Sequence, residues 1–63
     1  MNNRYSVLKL AEHQLQLRQI SHRRSVEEAK SAEAREQANK RLQYTESLLF
    51  TCRTMLGEVP HEN

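Results

Sequence analysis

Residues 21–28 read SHRRSVEE, and this stretch carries the clearest signal for a break in the chain. The cationic run 22–24 is typical of a helix C-terminus, where positive side chains interact favourably with the negative end of the helix dipole. Ser25 and Glu28 then match a capping box, in which the serine hydroxyl accepts from a backbone amide and the glutamate reaches back. The stretch therefore predicts a turn at residues 22–25. The alternative is an uninterrupted helix with Ser25 on its surface.

Outside this stretch, the composition indicates helix throughout. The 63-residue chain has one Gly and one Pro, Gly57 and Pro60, and is rich in Leu, Glu, Gln, Ala and Arg. These residues have high helix propensity, whereas strand hairpins need Gly-containing turns that the chain lacks. We therefore predict an all-α domain over residues 1–63, made of a helix at 4–21 capped by Asn2 or Asn3, the turn at 22–25, a second and longer helix at 26–56 that stops at Gly57, and a tail at 57–63.

The first helix carries two apolar stripes instead of one. One stripe holds Leu8, Ala11 and Leu15, and the other holds Leu10, Leu17 and Ile20. Polar side chains separate the two stripes. A helix with two apolar stripes contacts two neighbours, which favours a bundle over an isolated pair of helices.

Residues 45–56 are the most apolar part of the second helix. With the turn at 22–25, they extend past the end of the first helix and lack cover within the chain. Each leucine left in water forfeits about 1.5–3 kcal/mol, a large loss for a domain whose total stability is about 5–15 kcal/mol. We therefore predict a homodimer in which two helical hairpins form a four-helix bundle. The predicted dimer interface consists of Leu8, Leu10, Leu15, Leu17, Leu42, Leu48, Leu49, Cys52, Met55 and Leu56.

Two other connectivities bury the same residues. In the first, the chain is one continuous helix that pairs with its copy as an extended antiparallel coiled coil. In the second, the turn lies near Lys30-Ser31 and the apolar ends pair within one chain. That placement has no capping box and no glycine to support it. Domain swapping could interconvert these arrangements.

The chemistry-bearing residues argue against an enzyme or a metal protein. His13 and His22 are nine residues apart, His61 lies in the tail, and Cys52 falls within the apolar sector. None of these histidines forms the i, i+4 pair that places two imidazoles on one helical face. We therefore predict no catalytic site, no metal and no cofactor. No apolar run approaches the roughly 20 residues of a membrane span, and the single cysteine fits a reducing, cytoplasmic setting.

Two features indicate contact with another macromolecule. Phe50 lies among polar side chains on the helical wheel, and an exposed aromatic residue is a candidate hot spot for a protein partner. The basic residues Arg18, Arg23 and Arg24 cluster near the end of the first helix. We predict a small regulatory protein that binds a protein partner through Phe50 or this basic corner. The alternative is a nucleic-acid-binding regulator that uses the basic corner at residues 18–24.

The outline of the chain also matches a known group of proteins. Its size, its two helices, the pair Cys52-Arg53 ahead of Gly57 and the acidic end Glu62-Asn63 carry the likeness. In these features the chain resembles the small helical-hairpin regulators of plasmids and temperate (lambdoid) phages, the Rop-like proteins. The resemblance implies a dimeric four-helix bundle with a regulatory role. The chain departs from the group at the turn, which here is basic and off-centre, so RNA contacts are not carried over.

Overall fold

A computed structural model describes residues 3–59 and shows an antiparallel helical hairpin. Helix α1 spans Asn3–Glu28 and helix α2 spans Ala32–Glu58. The hairpin measures 50 × 14 × 12 Å along its principal axes. No strand occurs within these residues, so the predicted all-α hairpin is confirmed and the single continuous helix is wrong. Asn2, predicted as a possible cap, and residues 60–63, with Pro60 and His61, lie outside the described part.

The turn lies at residues 29–31, and the predicted turn at 22–25 is wrong. Ser31 has an extended backbone (φ −139°, ψ 159°), and its hydroxyl accepts a hydrogen bond from the backbone N–H of Ala34, as an N-cap does. Ser25 instead lies inside α1, where its hydroxyl donates to the carbonyl of Ser21 at 3.2 Å. The alternative of an uninterrupted helix through Ser25 is therefore correct for this stretch.

The position of the turn removes the predicted overhang of residues 45–56. The two helices have 26 and 27 residues, nearly equal lengths, so the C-terminal half of α2 packs against the N-terminal half of α1. Cys52 Sγ contacts the carbonyl oxygen of Leu8 at 3.2 Å across this junction. Residues 45–56 therefore have cover within their own chain, and the argument for a dimer that rested on the overhang is wrong.

Helix α2 ends later than predicted. It passes through Gly57 and stops at Glu58, and Gly57 keeps a negative φ. Val59 is extended (φ −82°, ψ 127°), and its N–H donates to the carbonyl of Leu56 at 3.3 Å. The residue before a proline is sterically disfavoured in the α conformation, so the stop at Val59 follows from the sequence Val59-Pro60 and does not need Gly57.

The core is one seam between the two helices. On α2 the buried residues recur every three, four or seven positions and therefore share one side of the helix; they are Ala38, Thr45, Leu49 and Cys52. On α1 the facing side is half-buried and includes Leu8, Leu15 and Val26. The small side chain of Ala38, near the turn, allows close approach of the helices. Four regions of the hairpin face solvent: the two long flanks and the outward sides of α1 and α2.

Candidate interaction surfaces

The predicted dimer-interface residues divide between the seam and the surface. Leu49 is 2% exposed and Cys52 is 6% exposed, so α1 already covers both. Placing these two residues between copies was wrong, because they complete the packing of a single hairpin. The half-buried members are Leu8, Leu15, Leu42, Met55 and Leu56. Leu10, Leu17 and Leu48 are exposed.

An apolar stripe covers the side of α1 that faces away from α2, as the two-stripe pattern predicts. We call it the outward stripe, and it consists of Val7, Leu10, Leu17 and Ile20, which are 63%, 61%, 49% and 56% exposed. Leu10 and Leu17 each follow a seam leucine, Leu8 or Leu15, by two residues. Two residues correspond to a rotation of about 200° around a helix, which places Leu10 and Leu17 opposite the seam. Val7 and Ile20 lie about 60° to either side of them, at the two edges of the stripe.

One long side of the hairpin is occupied by side-chain hydrogen bonds between the helices. We call it the paired flank, and it consists of Lys9, Glu12, Gln19, Arg23, Glu46 and Arg53. Glu46 Oε2 accepts from Gln19 Nε2 at 3.1 Å and from Arg23 Nη2 at 3.4 Å. These contacts join α1 to α2 close to the middle of the hairpin.

Glu12 is the most enclosed acid of the paired flank. Its side chain is 15% exposed and accepts from Arg53 Nε at 2.9 Å and from Lys9 Nζ at 3.0 Å. The hydrogen bond from Arg53, followed by that from Lys9, lowers the pKa of Glu12. The same contact with Glu12 raises the pKa of Lys9. Each charge is therefore stabilised in its ionised form at neutral pH.

The opposite long side, the open flank, consists of Arg18, Arg41, Tyr44, Leu48 and Met55. Each member lies two or five residues from a member of the paired flank, for example Leu48 from Glu46 and Met55 from Arg53. Separations of two or five residues rotate a side chain by about 200° or 140° around the helix. The members are exposed except for the half-buried Met55.

The sequence prediction used only part of this open flank. Arg41 was not singled out, and Tyr44 belonged to no predicted site. The available signal is the spacing of Arg41, Tyr44, Leu48 and Met55, which alternates by three, four and seven residues and so marks one side of α2. Its meaning depends on the register with α1, because only the contacts of Glu46 and Arg53 show which side of α2 faces away from them.

The structure separates the predicted basic corner. Arg18 lies on the open flank, Arg23 contacts Glu46 on the paired flank, and Arg24 lies seven residues after Leu17, on the outward side of α1. The three arginines therefore do not form one site. Phe50 is exposed, at 73%, on the same side of α2 as Glu46.

Concave and metal-binding features are weak over residues 3–59. A surface depression of about 410 Å³ lies on α2 alone and is lined by Ala32, Arg35, Glu36, Asn39, Lys40 and Gln43. Within it Lys40 Nζ lies 3.8 Å from Glu36 Oε1. No group of three His, Cys, Asp or Glu side chains in the described part is placed to hold a metal ion. Neither described helix has a segment with the length and apolarity that crossing a bilayer requires.

No protein-family model, curated protein or solved structure matches this chain. The resemblance to Rop-like hairpin regulators therefore stays a prediction. The functional argument rests on the three surfaces described above.

Proposed function

We propose that this chain is a small, non-enzymatic regulatory protein that binds a protein partner as a homodimer. The observation that carries the proposal is the outward stripe, whose four aliphatic side chains are about half to two-thirds exposed. Burying one such side chain contributes about 1.5–3 kcal/mol. The dimer now rests on this stripe instead of on an overhang of α2.

The spacing of the outward stripe supports pairing with a second copy. Its members are separated by three, seven and three residues, a pattern that reads the same in both directions. In an antiparallel two-fold contact, Leu10 of one copy meets Leu17 of the other, and Val7 and Ile20 lie level with each other at the two edges of the contact. Such isologous contacts are the commonest form of homodimer. The dimer has four helices, with the two α1 helices in the middle.

The borders of the outward stripe are compatible with this pairing. The neighbouring side chains on α1 are uncharged polar groups or histidine: Ser6, His13, Gln14 and Ser21. In the antiparallel contact, Arg24 of one copy lies near Asn3 of the other, so like charges do not meet. An interface core that is apolar with a polar rim is typical of protein–protein contacts.

The remaining elements of the proposal concern the partner and the setting. Phe50, with its large exposed ring, is a candidate contact for the protein partner. A phage- or plasmid-encoded origin and a cytoplasmic location are parts of the proposal that rest on the resemblance and on the single cysteine. We propose no catalytic role, because a helical hairpin offers shallow surfaces where a substrate site needs an enclosing cleft.

Nucleic-acid binding is the second candidate function. Arg18 and Arg24 are exposed and form no ion pair with a described residue, in contrast to Arg23. Phosphate contacts by such arginines give affinity that falls steeply with salt. A complex that weakens strongly with added salt and is lost in Arg24→Ala, a residue outside the open flank, supports this candidate. A complex that is lost in Phe50→Ala and unchanged in Arg24→Ala supports the protein partner.

The dimer is tested by measuring molar mass in solution by light scattering. We expect twice the 7.4 kDa mass of the chain for the wild type and the single-chain mass for Leu17→Lys. Phe50→Lys is the matched control, because it adds the same charge at another exposed apolar residue, and we expect it to stay dimeric. A wild type of single-chain mass, or a Leu17→Lys variant that keeps the wild-type mass, contradicts the proposal.

A further inference from the structure

We propose that the open flank binds an acidic amphipathic helix of the protein partner. This inference rests on the proposed function as a protein-binding regulator and names the chemistry of the partner. It uses Arg18, Arg41, Tyr44, Leu48 and Met55, which are separate from the outward stripe. A third helix that packs along both helices of the hairpin forms a three-helix bundle. Packing an amphipathic helix into the groove between two helices is a recurring mode of protein recognition.

On α2 the open flank runs from an apolar part, Met55 and Leu48, to the basic Arg41, and Arg18 on α1 lies beside Leu48. The bond between Gln19 and Glu46 sets these residues level with each other. From that level, a rise of 1.5 Å per residue places Met55 about 13 Å toward the open end of the hairpin and Arg41 about 7 Å toward the turn. Leu48 lies between them. The surface from Met55 to Arg41 is therefore about 21 Å long, the length of a helix of about 14 residues.

The charge of the open flank is unbalanced, whereas that of the paired flank is not. Arg18 and Arg41 form no ion pair with a described residue. By helical geometry the carboxylates nearest this flank, Glu33 close to the turn and Glu58 close to the open end, lie at its edge. On the paired flank, Arg23 and Arg53 each contact a glutamate. Carboxylates from outside the chain are the complementary groups for Arg18 and Arg41.

The same features disfavour other occupants of the open flank. A second copy on this flank brings the arginines of both chains together with no facing carboxylate, which is unfavourable. Nucleic-acid phosphates are complementary to Arg18 and Arg41 but leave Leu48 and Met55 in water. An acidic amphipathic helix matches both parts, because its leucines cover the apolar part and its glutamates reach the arginines. Tyr44, 68% exposed between the two parts, offers both a ring and a hydroxyl.

The test uses a fluorescein-labelled peptide of about 20 residues, which is about 30 Å long as a helix. One face of the peptide helix carries leucines in its first half and glutamates in its second half. A control peptide has lysine in place of each glutamate. Fluorescence anisotropy measures binding to the full chain at about 0.15 M salt, where the Debye length is about 8 Å. Two pairs of variants are compared: Arg41→Glu with Arg35→Glu, and Leu48→Ala with Gln43→Ala.

We expect the glutamate peptide to bind and the lysine peptide not to bind. Arg41→Glu should weaken binding about tenfold or more, because it places a like charge against the peptide, whereas Arg35→Glu changes it less than about twofold. Arg35 carries the same charge and lies three turns before Glu46, on the other side of α2. Leu48→Ala should weaken binding more than Gln43→Ala, since Gln43 is exposed and lies about 140° around α2 from Leu48. Circular dichroism checks helicity, and Arg41→Gln replaces Arg41→Glu if that variant loses helix.

Several results overturn the proposal. These are a wild type that does not bind the glutamate peptide, equal losses in Arg41→Glu and Arg35→Glu, and a larger loss in Gln43→Ala than in Leu48→Ala. Displacement of the peptide by a lower concentration of single-stranded RNA than of unlabelled peptide also overturns it and favours nucleic acid. Peptide binding that persists in Leu17→Lys shows that the open flank acts independently of the dimer. A change of molar mass in Arg41→Glu shows that the flank joins two copies and overturns the proposal.

Discussion

The two long flanks of the hairpin differ in how their charged side chains are satisfied. On the paired flank, Glu12 accepts hydrogen bonds from Lys9 on α1 and from Arg53 on α2, and Glu46 accepts from two donors on α1, Gln19 and Arg23. Both arginines of this flank therefore have partners within the chain. On the open flank, Arg18 and Arg41 have no such partner among residues 3–59, and Leu48 stays partly in water. One flank has its complementary groups within the chain, and the other lacks them among residues 3–59.

The stability of the hairpin therefore does not explain why apolar and basic side chains lie together on the open flank. The paired flank helps to fix the register of α1 on α2, because its contacts cross the seam. The open flank crosses the same seam without such contacts, so its apolar and basic side chains contribute less to the stability of the hairpin. A surface that is neither needed for folding nor typical of a purely solvated face is a candidate for binding.

The largest effect that tests this comparison comes from the adjacent residues Leu49 and Leu48. Leu49 is 2% exposed in the seam, and Leu49→Ala should lower the free energy of unfolding by about 2–5 kcal/mol, because it leaves a cavity. Leu48 is 37% exposed on the open flank, and Leu48→Ala should cost about 1 kcal/mol or less. Urea unfolding followed by circular dichroism measures both.

Equal losses of unfolding free energy in Leu49→Ala and Leu48→Ala would contradict the difference between the seam and the open flank, since they would mean that Leu48 is as closely packed as Leu49. Leu49→Val, a smaller truncation, keeps the measurement usable if Leu49→Ala does not fold. The control is Phe50→Ala, which removes a 73% exposed side chain from the next position. We expect its unfolding free energy to lie within about 0.5 kcal/mol of the wild type.

A smaller effect tests the turn, on which the assignment of residues to each flank depends. Ser31→Ala removes the hydroxyl that accepts from the N–H of Ala34 and should cost about 1 kcal/mol. Ser25→Ala is the matched control, because the hydroxyl of Ser25 only donates to the carbonyl of Ser21 within α1. We expect Ser25→Ala to be neutral or slightly stabilising, since alanine is the better helix former. A larger loss in Ser25→Ala than in Ser31→Ala favours a turn at 22–25.

The sequence predicted two helices correctly but favoured a turn at 22–25 over the alternative near Lys30-Ser31, which is the one observed, and the energies explain both results. Helix propensity and the lack of Gly or Pro before Gly57 act at every position, so the all-α hairpin could be predicted. Ser25 and Ser31 are the two candidate N-caps of the second helix, and a cap at either position stabilises the helix by about 1 kcal/mol. The turn at Ser31 gives helices of nearly equal length, which lets Leu49 and its neighbours pack on α1 at about 1.5–3 kcal/mol each. Packing between distant residues outweighs the better local motif.

The candidate surfaces were predictable to a similar extent. The outward stripe follows from the period of α1 alone, so Leu10, Leu17 and Ile20 could be recognised. The role of Arg23 could not, because its contact with Glu46 exists only in the register that the turn sets. For the same reason Arg41 and Tyr44 gain meaning only after the paired flank is known. The role of a residue that contacts the other helix can be recognised only once the fold is known. The role of a residue on one face of a single helix can be predicted from the sequence.

The smallest expected effect concerns the paired flank and its response to pH. In the folded chain, hydrogen bonds from Arg53 and Lys9 hold the pKa of Glu12 below its ordinary value of 4.5. Between the lowered pKa and 4.5 the unfolded chain binds more protons, so the stabilisation by Glu12 is present above 4.5 and is lost as the pH falls through the lowered pKa. Exposed ion pairs contribute little, so the effect should be smaller than that of the Ser31 cap.

The measurement compares the urea midpoints of the wild type and Glu12→Gln between neutral and acidic pH. The wild type should have the higher midpoint at pH 7, and the difference should shrink as the pH falls below 4.5 and also as salt is added. Glu27→Gln is the control, since Glu27 is an exposed acid of α1 with no ion pair to a described residue. A difference that stays constant with pH would show that the charge of Glu12 is not its source, and the paired flank would then be joined by the hydrogen-bond geometry of the carboxyl group instead of by charge.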